Sequence, residues 1–581
     1  MREDRAETRR TPELLPAVAL AVLLVIPELV WIGLDNSQWR GDPLPYGSGT
    51  IDLYATLRFH PGDWLDALFH VYGYKAPGIG WLGQFFVPLH SIVGSYERAL
   101  LLSIAFCQAG SIALLYVTAR RLGSSTTASV AAVLCLAGAP LFVTLGHEYY
   151  TEPLQTLCVT WVLFVMASAR RWRPAITLGQ LAGAISLAVV AKFSSPAYIA
   201  PPAALAAYFA FQAMSADAPP RSPFWRDWRA VSSAAIGCVL AIGAIGWYSN
   251  NFEATREFAQ RAAGHTGFGE REPFLAKSLE WLQRMSDAVF IRHVAMVVLL
   301  ALVVGCVIAR RRGRLRLRAA GRDIRVAARP LLPYLACVLP MLIVLVLLST
   351  NVNEDPRFVS SLTPFTALLL AGLISATRSE ALARAAVVVL LVQFGFVNFG
   401  SGVIDGDRSS RLWPSAPVRS DRAAEAIDRL ARSTCTADAA GRVNLINFWT
   451  ASPAINSRSL DFAARKAYSL SDRRCVYRGL NLNSSPRLAW RQLRESSPPF
   501  FIAADTVDRG NLPPGGIQFG NPNLPPPAGR EVGYYRSAAD YVLRRALASG
   551  KFSVKGPRTD GLVVLQARAR DRPAGPRGTP S

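Results

Sequence analysis

Apolar residues in this chain gather into runs of about 20, the length a helix needs to cross a hydrocarbon core. The first covers roughly Leu14 to Leu34, and others lie near 99–119, 125–145, 151–169, 174–191, 196–213, 230–249, 293–309, 330–349, 361–376 and 383–399. Hydropathy therefore predicts about eleven transmembrane helices. The first run is too long for a signal-peptide core and has no small-residue cleavage site, which predicts an uncleaved first helix.

Between the first two runs lies a different pattern. Trp64, Leu65, Leu68, Phe69 and Tyr72 recur at helical spacing, with Asp63 and Asp66 on other faces, and Trp81, Leu82, Phe85 and Phe86 repeat the motif. Such stripes predict helices lying in the membrane interface, within an outer loop spanning 35–96. Leu275, Leu279, Leu282 and Val289 form another stripe in the long loop expected after Trp247.

After residue 400 the periodicity changes. Short apolar runs at Val443–Phe448, Phe500–Ala503 and Leu562–Leu565 read as strands. Ala423–Arg432, Leu488–Arg494 and Ala538–Ser549 read as helices between them. Alternation of this kind predicts a small α/β domain over 401–568, following a membrane domain over 1–400. Residues 511–529 hold too much Pro and Gly for regular structure, and 569–581 reads as a disordered tail.

Charge then fixes the expected topology. The 581 residues carry a net charge of +23 although 51% are hydrophobic and only 18% charged. On a soluble chain that balance would suggest nucleic acid, but aromatics are not interleaved with the basic residues as a strand-binding groove requires. Arginines instead sit in alternate short loops: Arg120 and Arg121; Arg170, Arg171 and Arg173; Arg221, Arg226 and Arg229; the dense run 310–329; Arg378 and Arg384. The positive-inside rule makes these cytoplasmic. The expectation is a multi-pass protein of a bacterial inner membrane, with its N-terminus cytoplasmic and its C-terminal domain extracytoplasmic. In that compartment Cys435 and Cys475 are candidates for a disulfide. The other six cysteines lie in apolar runs and read as small core residues.

The polar chemistry collects at the outer ends of the spans: Asp52, Lys75, His147, Glu148, Glu152, Lys192, Asn250, Asn251, Glu354, Asp355 and Arg357. A transporter places ionisable groups near mid-membrane, where these runs carry almost none, and Glu28 lies in the outer half of the first helix. A polar site at one membrane face suits an enzyme acting on a lipid-borne substrate.

Five features, in order, then carry a family resemblance. Asp52 follows the first helix. Tyr74-Lys75-Ala76-Pro77 forms a lysine-proline turn. Thr151-Glu152-Pro153-Leu154 opens a later helix, with Glu in place of the more usual Asp. Trp247-Tyr248-Ser249-Asn250-Asn251 is expected to end a middle span. Arg357-Phe358, with Pro364, enters a late helix. The chain thereby resembles the polyprenyl-phosphate-sugar-dependent membrane glycosyltransferases of the GT-C fold. That branch includes the protein O-mannosyltransferases and the aminoarabinose and galacturonic acid transferases of lipid A.

The resemblance implies a reaction. A sugar moves from a polyprenyl phosphate to an envelope acceptor (lipid, glycan or protein), with inversion. Asp52 and Glu152 are the catalytic candidates, Asp52 as general base. Lys75 and Arg357 would meet the charge growing on the leaving phosphate. Glu148, His147, Tyr74, Trp247, Tyr248 and Asn250 are candidate contacts for acceptor or sugar. No cofactor is assigned, and a divalent cation is the one candidate. If a divalent cation takes part, Asp52 and Glu152 are the acids to hold it, and their oxygens suit Mg or Mn. Partners are the lipid donor, membrane lipids and the acceptor, without nucleic acid. The competing readings are a lipid-linked glycan flippase and a non-catalytic scaffold of an envelope-glycan assembly complex.

Overall fold

The computed structural model describes residues 13–37, 39, 41–215, 227–264, 273–291, 294, 332–351, 355–400, 414, 416–435, 444–449, 457–467, 475–479, 486–496, 498, 500–504, 532–555 and 562–568. The chain forms two compact units. One comprises Met1–Gly33 and Trp64–Ala416, the other Leu34–Asp63 and Pro417–Ser581. The boundary expected at residue 400 thus misses a feature: half of the first outer loop folds with the C-terminal unit.

In chain order the helices begin with α1 (Leu14–Leu34), α2 (Pro43–Phe59), α3 (Trp64–His70), α4 (Gly78–Gly83), α5 (His90–Val93) and α6 (Tyr96–Arg121). Next come α7 (Thr126–Ala137), α8 (Pro140–Gly146), α9 (Glu152–Ser168), α10 (Pro174–Ala191), α11 (Ser195–Ser215) and α12 (Trp228–Gly264). The first unit ends with α13 (Phe274–Val289), α14 (Leu332–Thr350), α15 (Thr363–Thr377) and α16 (Glu380–Phe399). A 3-10 helix over Pro356–Leu362 leads into α15.

Among the described residues, seven helical spans are long and apolar enough to cross a membrane, or eight if the bent pair α7–α8 is one span. This is a multi-pass membrane protein, with fewer qualifying spans than the eleven expected. Hydropathy does not see a bend, and α7 and α8 meet at 57° where Pro140 starts a new helix. α9 is apolar but shorter, and the run 293–309 lies outside the described residues.

The interfacial stripes are helical. α3 and α4 fall within them, and α13 exposes Leu275, Leu279 and Leu282 while burying Lys277, Trp281 and Val289. One expected boundary is wrong. The Trp247–Asn251 segment is not a turn that ends a helix, because α12 continues through it to Gly264. Hydropathy stops at Asn250, but the residues that follow (Glu253, Ala254, Arg256, Glu257) are sound helix formers.

In the second unit, α17 (Arg422–Thr434), β1 (Asn444–Trp449), α18 (Ser457–Ala467), β2 (Cys475–Gly479), α19 (Pro486–Ser496), β3 (Phe500–Ala504), α20 (Val532–Ala548), β4 (Phe552–Val554) and β5 (Leu562–Ala567) build an α/β layer structure. The sheet order is β2-β1-β3-β5-β4, with β1 parallel to β2 and β3, and β5 antiparallel to β3 and β4. Alternation along β3 sorts the core. Phe500 and Ile502 pack with α17 and α18, whereas Phe501 and Ala503 pack with α19 and α20. A disulfide joins Cys435, just past α17, to Cys475 at the start of β2, Cα to Cα 5.4 Å.

α2 joins this unit through small residues. A Cβ on Gly47 would lie 2.8 Å from both Phe462 and Trp39, whose rings stack with centroids 5.4 Å apart. Only glycine lets α2 approach so closely. The Val418 backbone N–H also donates to Asp35 Oδ1 at 2.8 Å, tying residues 35 and 418 together.

Candidate active site

In the first unit, three segments converge on α9. The Lys75 turn is shaped by left-handed backbone at Tyr72 (φ 65°) and Gly73 (φ 63°). It then seats Gly78 against the end of α10, where a Cβ would lie 2.8 Å from Val190 O. Two residues beyond that carbonyl stands Lys192, the C-cap of α10. The loop between α8 and α9 is held to α4 by the Tyr149 hydroxyl, which donates to Ile79 O at 3.0 Å.

Glu152 opens α9 and is 3% exposed. Its Oε1 accepts from Lys192 Nζ at 2.8 Å, and its Oε2 accepts from the Thr151 hydroxyl at 3.2 Å. Lys192 Nζ also lies 4.5 Å from the centre of the Phe358 ring. Arg357 starts the 3-10 helix. Its guanidinium pairs with Asp355 Oδ2 at 2.7 Å, lies 4.3 Å from the Tyr150 ring centre, and feels the charge of Glu152. Asp355 caps that helix by accepting from Arg357 N at 3.1 Å. Beneath the ions, Gln155 donates to Ser195 Oγ at 3.1 Å and accepts from the Ser361 hydroxyl at 3.0 Å. The Tyr198 hydroxyl donates to Phe358 O.

The result is a balanced cluster: the cations Lys192 and Arg357, the acids Glu152 and Asp355, and aromatic faces on two sides. Buried charges survive only when paired in this way. Cations fixed before a ligand arrives need little reorganisation to meet an anion such as phosphate.

The expected site residues take distinct positions. Glu152 and Arg357 come together here; the turn that carries Lys75 packs on the end of α10 through Gly78, and Lys75 is half-buried. Glu148 is half-buried in the same loop, its carbonyl accepting from Tyr150 N at 2.9 Å. Tyr74 is 38% exposed and packs on Phe258, with ring centroids 5.0 Å apart. Trp247 is fully buried, and Nε1 donates to Val71 O at 3.3 Å. The Tyr248 hydroxyl donates to Val189 O at 3.0 Å. Asn250 gives its amide to Gly246 O of its own helix at 2.8 Å. Trp247 and Tyr248 fix α12 to its neighbours, whereas Asn250 bonds within the helix.

His147 turns toward α1. Its ring stacks on Trp31 at 3.8 Å, its Nε2 lies 3.3 Å from Glu28 Oε2, and its side chain is 8% exposed. A ring so enclosed is an anchor for the loop and does not present itself to an acceptor. Glu354 lies outside the described residues.

Asp52 belongs to the second unit. It lies on α2, where a loop was expected, and pairs with Arg465 of α18. Arg465 is also held by Asp461, Nε to Oδ2 3.0 Å. Burial works against the Arg465 charge, but Asp52 and Asp461 outweigh it and raise its affinity for the proton. Glu152 and Asp52 are thus each paired with a cation. Among the described residues no group of three or more His, Cys, Asp or Glu is arranged to hold a metal ion.

Lys192, Tyr150 and Arg465 were not assigned to the site from sequence. Lys192 had a signal: a lone cation directly after an apolar run. Arg465 had none, since it sits far along the chain in an ordinary amphipathic helix.

With the geometry in hand, comparison with known proteins is informative. The family model described as dolichyl-phosphate-mannose-protein mannosyltransferase matches residues 74–219, a stretch that holds Lys75, Glu152 and Lys192. No curated protein matches the chain. Among solved structures, ArnT from Cupriavidus metallidurans in the apo state is 14% identical, with 96% of this chain and 98% of that chain covered and a TM-score of 0.53. The same protein bound to undecaprenyl phosphate is 15% identical, covering 96% of this chain and 99% of that chain with a TM-score of 0.52. Similarity across nearly the whole of both chains establishes the fold, which is GT-C.

Proposed function

We propose that this protein is an integral membrane glycosyltransferase that moves a sugar from a polyprenyl-phosphate donor to an envelope acceptor, with inversion. The observation that carries the reading is the paired cluster of Lys192, Glu152, Arg357 and Asp355 beside the Lys75 turn. It offers fixed cations at the end of apolar helices, where a lipid phosphate would present its head group. The undecaprenyl phosphate bound by the ArnT structure of the same fold supports a lipid phosphate as ligand.

In the proposed reaction the acceptor hydroxyl attacks the anomeric carbon as the bond to phosphate oxygen breaks. The transition state has oxocarbenium character. The hydroxyl proton passes to Asp52. Lys75, Arg357 and Lys192 meet the charge that grows on the phosphate. Glu152 keeps Lys192 in place and balances its charge while the site is empty. The role of Asp52 rests on its place in the motif order. No step is routed through a metal.

The arginine-rich loops support a cytoplasmic face opposite the C-terminal unit, and the Cys435–Cys475 disulfide supports an oxidising compartment for that unit. Together they favour the outer face of a bacterial inner membrane. Binding of undecaprenyl phosphate to the solubilised protein, read by native mass spectrometry, tests the donor site. Arg357→Ala and Lys192→Met should each weaken binding at least tenfold, about the weight of one charge-assisted hydrogen bond. Unchanged binding in both would contradict the assignment.

A further inference from the structure

Asp52 on α2 and Arg465 on α18 lie in one compact unit and are paired. Their environments differ. The Arg465 side chain is 13% exposed, and the Asp52 side chain 51%. Arg465 is fixed by its own helix, because Asp461, one turn earlier, takes Nε at 3.0 Å. Phe462, also one turn earlier, stacks on Trp39 and fills the space over Gly47, so α18 is pressed against α2.

The guanidinium is therefore a preset fork. Asp461 takes Nε, and Nη1 pairs with Asp52. A half-exposed aspartate would otherwise sample several rotamers and meet water in each. Other contacts tie the same unit together: Trp39, just before α2, stacks on Phe462 of α18, and the Val418 backbone N–H donates to Asp35.

We infer that Arg465 is a positioning residue for Asp52, holding its carboxylate in one orientation, so that the C-terminal unit takes part in the transfer step itself. This role rests on the reading of Asp52 as the base.

The test uses the full-length protein in a sugar-transfer assay with a polyprenyl-phosphate-sugar donor. Arg465→Gln, Arg465→Lys and Asp52→Asn are compared at matched abundance, with thermal midpoints recorded. Arg465→Gln should lower kcat about tenfold or more with the donor KM unchanged, the loss expected for one charge-assisted contact to a reacting group. Arg465→Lys should recover most of that loss, and neither should move the thermal midpoint appreciably. Native kcat in Arg465→Gln beside an inactive Asp52→Asn overturns the role of Arg465 and leaves the base standing. Native transfer by Asp52→Asn overturns the base and this inference with it. Equal losses in the Gln and Lys variants, tracking a fall in thermal midpoint, show a structural contact only and also overturn the inference.

Discussion

Glu28 Oε2 stands 3.3 Å from His147 Nε2, and the histidine ring is stacked on Trp31 three residues along the same helix as Glu28. The first helix thereby grips the loop that carries Tyr150 and Glu152. Pro27 precedes Glu28 inside α1, and the acid is 4% exposed. Glu28 Oε1 and His147 Nδ1 have no hydrogen-bond partner among the described residues. A buried polar contact cut in half leaves its partner unsatisfied in low dielectric, costing about 1–3 kcal/mol. Glu28→Ala and His147→Ala should each lower the thermal midpoint in detergent by several degrees. A midpoint at the native value would show that the pair is dispensable.

Gly146 tests the same contact from the other side. A Cβ there would lie 2.5 Å from Glu28 Oε2 and 2.6 Å from Gln108 Nε2. Gly146→Ala must displace the Glu28 carboxylate or the Gln108 amide, which donates to Phe142 O at 2.7 Å. Overpacking of this kind costs about 1–3 kcal/mol. The expected outcome is a less stable protein, measured by fluorescence-detected melting. Full stability in this variant would mean the loop is looser than described.

The Lys192–Glu152 contact makes a prediction about non-additivity. Either Lys192→Met or Glu152→Gln leaves a buried group without its partner, whereas the double variant removes both charges. Each single change should destabilise more than the pair changed together. The check is a double-mutant cycle on thermal midpoints. Simple additivity would mean that the two side chains do not depend on one another.

The disulfide closes a 40-residue separation. Loop-closure entropy alone gives it about 4 kcal/mol. Replacing Cys435 and Cys475 by serine in the full chain should make the second unit far more sensitive to limited proteolysis. Equal cleavage rates with and without the bond would remove it as a stabilising element.

Much of the fold is written in the hydrophobic period. Apolar runs mark most of the membrane helices, and a short apolar run at Phe500–Ala503 marks a central strand. What the period hides has physical causes. Pro43–Phe59 contains Gly47, Ser48, Gly49 and Thr50, all weak helix formers, so it reads as a loop. Gly47 meets a long-range demand that no local pattern states, because Phe462 and Trp39 close over it. The same applies to the site. Glu152 and Arg357 stood out as charges at the ends of apolar runs. That Lys192 meets Glu152, Tyr150 meets Arg357 and Arg465 meets Asp52 is set by which segments pack together, and a single sequence does not contain that.

The central claim is sugar transfer from a polyprenyl phosphate with Asp52 as base. It is tested most directly by incubating membranes holding native protein or Asp52→Asn, at matched abundance, with a panel of labelled polyprenyl-phosphate sugars and envelope acceptors. The account predicts a labelled product with native protein and a loss of about 100-fold or more in the variant, the usual weight of a general base. Equal transfer by both proteins would contradict the assignment of Asp52. Absence of product from both, across the whole panel, would contradict the enzyme reading and favour a flippase or a scaffold built on the same fold.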